Sequence, residues 1–512
     1  MNTLSQTAFL LLRSFRSKRR WSNRYLHLVL LLLLTSICVN AQVGFSPFTT
    51  DFPPEEFAAR RAKLIESIGP SAIAIIQGAP SPPGYTRFRQ SNEFYYLSGI
   101  EIPHAYLLLD GGSKRTILYL PHRNEGRERG EGKLLSAEDS DEIKKLSGID
   151  DVFGTDLLVE YLARFARGRK TIFTPLSPAE GTAMSRDLAI RVIGDYAADP
   201  FDGRGSREGQ FIQSLQSRFP QYTINDLTPA LDQLRLIKSP REISLIEKAT
   251  RLSGLGLMEA MRSTVPNIYE YELDAVAKYV YYRNGAQGDA YYSLIASAQN
   301  AYWPHYNAGK RRMLDGDFLL MDYAPDYGYY MADVTRMWPV NGTFSPWQRE
   351  LYGFYLSCYR SVLSHIRPGV TAQVIIQEAV RDMDGTLAST KFSKPEYQRA
   401  AQEFVNAYKQ SSTNPRASLG HWVGMATHDV GVDSGPLRPG MVFTIEPALR
   451  VPEEKIYVRL EDMIVITDTG ARIISDFVPM DIDGIEKVMR DEGMLQRFPR
   501  DKDTTQSKLV NQ

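Results

Sequence analysis

The chain has 512 residues, 43% of them hydrophobic, with 60 Lys and Arg against 60 Asp and Glu and only two cysteines. Those values exclude a disulfide scaffold, a disordered chain and a polytopic membrane protein, and the charge balance gives no reason to expect a nucleic-acid partner. The neutrality is uneven: residues 1 to 41 carry Arg13, Arg16, Lys18, Arg19, Arg20 and Arg24 and no acid, which leaves 54 positive against 60 negative charges, a net of −6, in the remainder.

The basic stretch leads into an apolar run, Leu26 to Val39, and then to Val39-Asn40-Ala41 before Gln42. This is the layout of a secretory signal over residues 1 to 41. The run is interrupted by His27 and falls short of the roughly 20 apolar residues that a membrane span needs, so an uncleaved anchor is the lesser alternative. Cys38 follows Ile37, a poor residue before a lipidated cysteine. Cleavage after Ala41 would leave Cys358 as the one cysteine of an exported protein, periplasmic or secreted, stabilised by its core rather than by disulfides.

Residues 42 to 236 alternate between strand-like and helix-like pieces. Strands are expected at Ala72 to Ile76, Glu93 to Leu97, Ala105 to Leu109, Thr116 to Leu120 and Thr171 to Thr174, with amphipathic pieces at Ala137 to Leu146 and Leu157 to Phe165. Such alternation predicts an α/β domain with a mostly buried sheet. A second domain, residues 237 to 490, opens at Ser239-Pro240-Arg241-Glu242, where a capping serine, a proline at the first helical position and a glutamate three residues on make a capping box. A further helix, Glu272 to Arg283, stops at Asn284-Gly285, and another starts at Ser345-Pro346-Trp347-Gln348. Around them lie short strands at Phe318 to Met321, Tyr329 to Trp338, Met441 to Ile445 and Tyr457 to Ile466. Helices segregated from an antiparallel sheet predict an α+β domain, followed by a mobile polar tail. The domain assignment puts that tail at residues 491 to 512, its polar character beginning at Arg490.

The segment from Asp322 to Asp333 reads as a hairpin reversing at Tyr327-Gly328, which would set the two aspartates directly opposite each other with Cβ atoms about 4.5 to 5.5 Å apart. Two carboxylates so close repel unless a proton or cation neutralises them. Glu446 ends an apolar strand, and alternation puts Tyr457, Arg459, Glu461 and Met463 on one face of another. An internal pairing of Arg459 with Glu461 or Glu446 would explain these charges alone. His305, His421 and His428 add imidazoles, and four carboxylates with one imidazole suit Mn²⁺, with Zn²⁺ or Co²⁺ as competitors, in a set too rich in charge for one ion.

The sequence resembles the aminopeptidase P and prolidase group of metallopeptidases. The stretches that carry the likeness are His305-Tyr306, Leu319-Leu-Met-Asp322, Ala332-Asp333-Val-Thr-Arg336, Gly342-Thr-Phe344 leading to Gln348, Gly420-His421-Trp-Val-Gly424, His428-Asp-Val-Gly431, Pro439-Gly-Met-Val-Phe-Thr-Ile-Glu-Pro447, Arg459-Leu-Glu461-Asp462 and, in the first domain, Arg89-Gln-Ser-Asn-Glu-Phe-Tyr-Tyr-Leu-Ser-Gly99. The resemblance implies an α+β pita-bread catalytic domain preceded by an α/β amino-terminal domain. It also implies two divalent metal ions held by Asp322, Asp333, His421, Glu446 and Glu461, with Asp333 and Glu461 touching both and a hydroxide shared between them. By the same likeness Glu446 shuttles a proton to the leaving nitrogen, His305 and His428 line the substrate pocket, and Arg459 holds Glu461 in register. The implied activity is removal of an amino-terminal residue that precedes proline. Prolidase action on Xaa-Pro dipeptides and a silent binding role on the same scaffold are the alternatives, and relatives commonly form dimers or tetramers. Two departures stand out: the group usually has a histidine where this chain has Ala417, and the segment between Glu446 and Glu461 is short.

Overall fold

The runs Ala72–Gln77 and Tyr106–Asp110 are almost wholly apolar and bounded by turn residues, and they become the two central strands of a mixed sheet. The computed structural model describes residues 51–165, 170–431 and 434–500; the expected signal through Ala41, with Cys38, and residues 501 to 512 of the expected tail lie outside them. In chain order the sheet's strands are β1 (Ala72–Gln77), β2 (Tyr106–Asp110), β3 (Arg115–Leu120), β4 (Asp151–Gly154), β5 (Thr171–Thr174) and β6 (Thr223–Asp226), arranged β4-β3-β2-β1-β5-β6. Alternation divides β1 between two cores: Ala72, Ala74 and Ile76 join the large core shared with the rest of the molecule, while Ile73 and Ile75 meet Leu158, Leu162, Leu215 and Phe219 on the opposite face.

Glu93 to Leu97, expected as a strand, lies in a helix, Asn92–Ser98, that ends on left-handed Gly99. Every residue of that helix is buried, so no polar face was present to reveal a helical period. A short turn separates helix Thr228–Leu236 from helix Pro240–Ser263, and the predicted capping box forms: Glu242 Oε2 accepts from Ser239 N at 2.9 Å. The described residues pack as one compact unit.

The second half contains β7 (Gly288–Asp289), β8 (Leu294–Ser297), β9 (Phe318–Asp322), β10 (Pro325–Asp326) and β11 (Thr335–Pro339), followed by β12 (Val442–Ile445), β13 (Ala448–Val451), β14 (Ile456–Arg459), β15 (Asp462–Ile466) and β16 (Ala471–Ile473). All pair antiparallel, as β11-β9-β8, β12-β15-β16, β13-β14 and β10-β7. Helices Pro240–Ser263, Glu270–Arg283, Pro346–His365, Ala372–Ser389 and Pro395–Ser412 accompany them. Two strand expectations are corrected. Tyr457 to Ile466 is broken at Leu460-Glu461 into β14 and β15, which belong to different sheets, and Tyr329 to Trp338 is a strand only from Thr335.

The expected mobile tail also fails as far as Arg500. Helix Met494–Arg497 docks against helix Pro240–Ser263, Met494 N donates to Glu259 Oε1 at 2.7 Å, and Arg500 pairs with Glu272. No helix among the described residues is long and apolar enough to cross a membrane.

Candidate metal centre

Asp322 closes β9 and its side chain is buried. Asp333 does not lie opposite it: the register pairs Asp322 with Thr335. The chain reverses at Gly328 and Tyr329, both at positive φ (59° and 70°) and flanked by the Tyr327 to Tyr330 bridge. That is one residue later than expected, and moving the reversal by one moves every pairing by two. The amino-terminal domain holds the turn there. Tyr95 stacks on Tyr329 with centroids 3.5 Å apart, Arg89 lies over the same ring, and Arg89 Nε reaches Asp326 Oδ2 at 2.6 Å. Asp333 is thereby left in irregular backbone between the turn and β11.

The two aspartates still meet, through a third residue. Tyr291 Oη lies 2.6 Å from Asp322 Oδ1 and 2.6 Å from Asp333 Oδ1. A phenol has one hydrogen, so it can donate to only one of them at a time. Glu461, in the break between β14 and β15, accepts from Thr335 Oγ1 through Oε2 at 2.8 Å, while its buried Oε1 has no hydrogen-bond partner. His421 Nε2 lies 3.5 Å from Asp333 Oδ2, 3.3 Å from Glu446 Oε1 and 3.8 Å from Glu461 Oε1. One ligand atom from each of Asp333, His421 and Glu461 falls within 4.8 Å of the other two.

Arg459 sits beside this group, with Nη1 3.2 Å from Glu446 Oε2 and Nη2 in contact with Asp322 Oδ2. The pairing of Arg459 with Glu446 therefore exists, yet it leaves the acidic cluster far from neutral. Burial, then Asp322 and Glu446, push the Asp333 carboxyl well above the usual range. Burial, then Asp333, Glu446 and Asp322, do the same to Glu461 despite Arg459. Burial works against the Arg459 charge, but Asp322 and Glu461 outweigh it and its proton is held more firmly than usual. With Asp322, Asp333 and Glu461 buried, His421 and Glu446 partly exposed, and one acceptor without a donor, this crowded, oxygen-rich set fits divalent cations.

Beneath the cluster, Arg336 is fully buried, pairs with Asp462 at 2.6 Å and donates to the Glu461 carbonyl at 2.8 Å. This accounts for the run Glu461-Asp462 and for the arginine that ends Ala332-Asp333-Val-Thr-Arg336: one residue faces the cluster and the next anchors the backbone.

The histidines divide. His428 stands over His421 with ring centroids 4.3 Å apart, and its Nδ1 lies 2.9 Å from Asp187 Oδ2. His305 is exposed in the loop after the short helix Ala298–Tyr302 and is not part of the Asp333, His421 and Glu461 group. Ala417 lines a cavity of about 460 Å³ together with Trp422 and Phe443. Tyr291, Thr335 and Asp187 were not singled out as site residues from the sequence, because each acts through a partner distant in the chain.

A model of metallopeptidase family M24 matches residues 244–468, and one of the aminopeptidase P amino-terminal domain matches residues 57–173. The Xaa-Pro aminopeptidase of Escherichia coli (strain K12) is 30% identical over 454 residues, covering 85% of this chain and 97% of that protein. Two solved structures of aminopeptidase P from E. coli align with TM-scores of 0.69 over 86% of this chain and 98% of theirs: one with the inhibitor Pro-Leu, at 27% identity, and a zinc-substituted form in complex with product, at 28%.

Proposed function

The chain belongs to metallopeptidase family M24 as an aminopeptidase P, and from that membership we propose that it removes the amino-terminal residue of peptides whose second residue is proline, using two divalent ions held by Asp322, Asp333, His421, Glu446 and Glu461. The observation that carries this reading is the convergence of Asp333, His421 and Glu461, with Glu461 Oε1 buried and without a hydrogen-bond donor. When bound, the ions supply an activated water at neutral pH and polarise the scissile carbonyl. Four carboxylates to one imidazole favour Mn²⁺ over Zn²⁺ or Co²⁺.

The chain's own groups account for the remaining needs of the reaction. Glu446 is the most exposed of the carboxylates flanking His421, at 27%, so it can reach substrate and carry a proton to the proline nitrogen, which must be protonated to leave. Arg459 pairs with both Glu446 and Asp322 and holds them in register. His428, beside His421 and half exposed, contacts the peptide near the reacting carbonyl, and exposed His305 reaches the substrate from the opposite loop. Export through residues 1 to 41 is part of the same proposal, and sequencing the amino terminus of secreted protein tests it.

The activity itself is tested with Gly-Pro, Gly-Pro-Leu and Gly-Ala-Leu, each assayed with Mn²⁺, with Zn²⁺ and after chelation. Metal-dependent release of glycine from Gly-Pro-Leu but not from Gly-Ala-Leu is expected. Cleavage of Gly-Pro alone would make the protein a prolidase, and no cleavage with either metal would make it a silent scaffold.

A further inference from the structure

Helix Arg186–Ala198 of the amino-terminal domain begins against the loop that carries His428. Its N-cap residue, Ser185, is buried and makes no side-chain bond to its own helix, the usual role of a capping serine. Instead the Ser185 hydroxyl accepts from His428 N–H at 3.2 Å. Two residues on, Asp187 Oδ2 lies 2.9 Å from His428 Nδ1. One turn of helix therefore holds His428 by main chain and by ring together.

The neighbouring residue is fixed independently. The Asp429 side chain is buried between Arg235, with Nη2 to Oδ1 at 2.6 Å, and Lys238, with Nζ to Oδ2 at 3.0 Å. Asn92 Nδ2 donates to the Met425 carbonyl at 3.0 Å. With the backbone immobilised, the remaining freedom of His428 is rotation of its half-exposed ring. Arg186, the basic residue next to Asp187, is engaged by both oxygens of Asp232 at 2.7 and 2.9 Å, so its fork is committed elsewhere.

We propose that Asp187 is the positioning residue of His428: its carboxylate accepts the Nδ1–H, sets the ring plane and tautomer, and leaves Nε2 as the nitrogen presented to the peptide. A carboxylate hydrogen-bonded to one imidazole nitrogen determines which nitrogen carries the proton and which way the ring faces. Asp187 is itself half exposed, where water screens charge, so its contribution is directional. The amino-terminal domain thus completes the site of its own chain. This inference rests on His428 contacting substrate, as argued above.

The test uses the full-length, metal-loaded protein and the variants Asp187→Ala, Asp187→Glu and Ser185→Ala. Asp187→Ala is expected to lower kcat on Gly-Pro-Leu by about 10- to 100-fold, the size of loss seen when a metal-bound histidine loses the partner that orients it, with KM and bound metal little changed. Asp187→Glu, which keeps a carboxylate at an exposed position with room for it, recovers most of that loss. Ser185→Ala gives a smaller loss than Asp187→Ala. Long-range ¹⁵N spectra of histidine-labelled protein, with His428 assigned through His428→Gln, show an Nδ1–H tautomer in the wild type that is lost in Asp187→Ala. Unchanged kcat in Asp187→Ala, or unchanged His428 ring signals, overturns the proposal. If the wild type fails to cleave proline peptides, the functional reading fails, and the ring spectra still decide the role of Asp187.

Discussion

Asp333 and Glu461 are buried in the acidic cluster, and their environment makes a measurable demand. Both carboxyls are raised by burial and then by acidic neighbours, Asp322 and Glu446 acting on Asp333 and Asp333, Glu446 and Asp322 on Glu461, so the native metal-free protein binds protons that the unfolded chain would release. The stability they contribute is present below the ordinary carboxylate range, about pH 4, and is lost as pH rises through the raised values. The metal-free protein should therefore melt at a lower temperature as pH rises toward neutrality, and Mn²⁺ should raise that temperature most at the high end. Thermal melts with and without metal across pH 4 to 8 check both. Tyr291→Phe, which removes the hydroxyl between Asp322 and Asp333, should weaken metal binding about 10- to 100-fold, measured by calorimetry. The residues of the acidic cluster were legible in sequence because short motifs carry them. Tyr291 and Thr335 were not, since their partners are 31 or more residues away in the chain and only folding brings them together.

Elements place those residues, and here the sequence was legible where a local rule decides and misleading where a distant contact does. The capping boxes at Ser239 and Ser345 could be read from four residues each, and both bonds back to the cap form. The hairpin register could not, because Tyr95 and Arg89 of another domain decide where residues 328 and 329 turn. The shift by two pairings takes Asp333 out of the ladder and lets it face His421. A second close fit holds His421 itself: a Cβ on Gly420 would stand 2.0 Å from the Thr444 carbonyl oxygen of β12. Gly420→Ala should cost about 1–3 kcal/mol as an overpacking change, and it should also weaken metal binding by levering His421 away from β12. Denaturant unfolding and metal titration measure the two effects.

The molecule as a whole is joined through buried charge. Arg235 lies between Glu93, Glu180 and Asp429, partners up to 194 residues away in the chain, so none of this junction was visible in sequence even though the α/β and α+β characters of the two halves were. Burial and the adjacent Glu180 carry the Glu93 carboxyl up to about 7 in spite of Arg235 and Arg186. Arg235→Met would leave these carboxylates buried without their shared cation, a change expected to cost about 3–5 kcal/mol and to lower the melting temperature of the whole unit. Loss of stability confined to residues 51–236, seen by hydrogen exchange, would contradict the role of Arg235 as a link between the two halves.

Metal-dependent turnover tests the central claim most directly. Gly-Pro-Leu hydrolysis should rise with added Mn²⁺ and saturate at two ions per chain, and Asp333→Ala should bind fewer ions and show no turnover. Full activity in chelated protein, or in Asp333→Ala, would contradict the account.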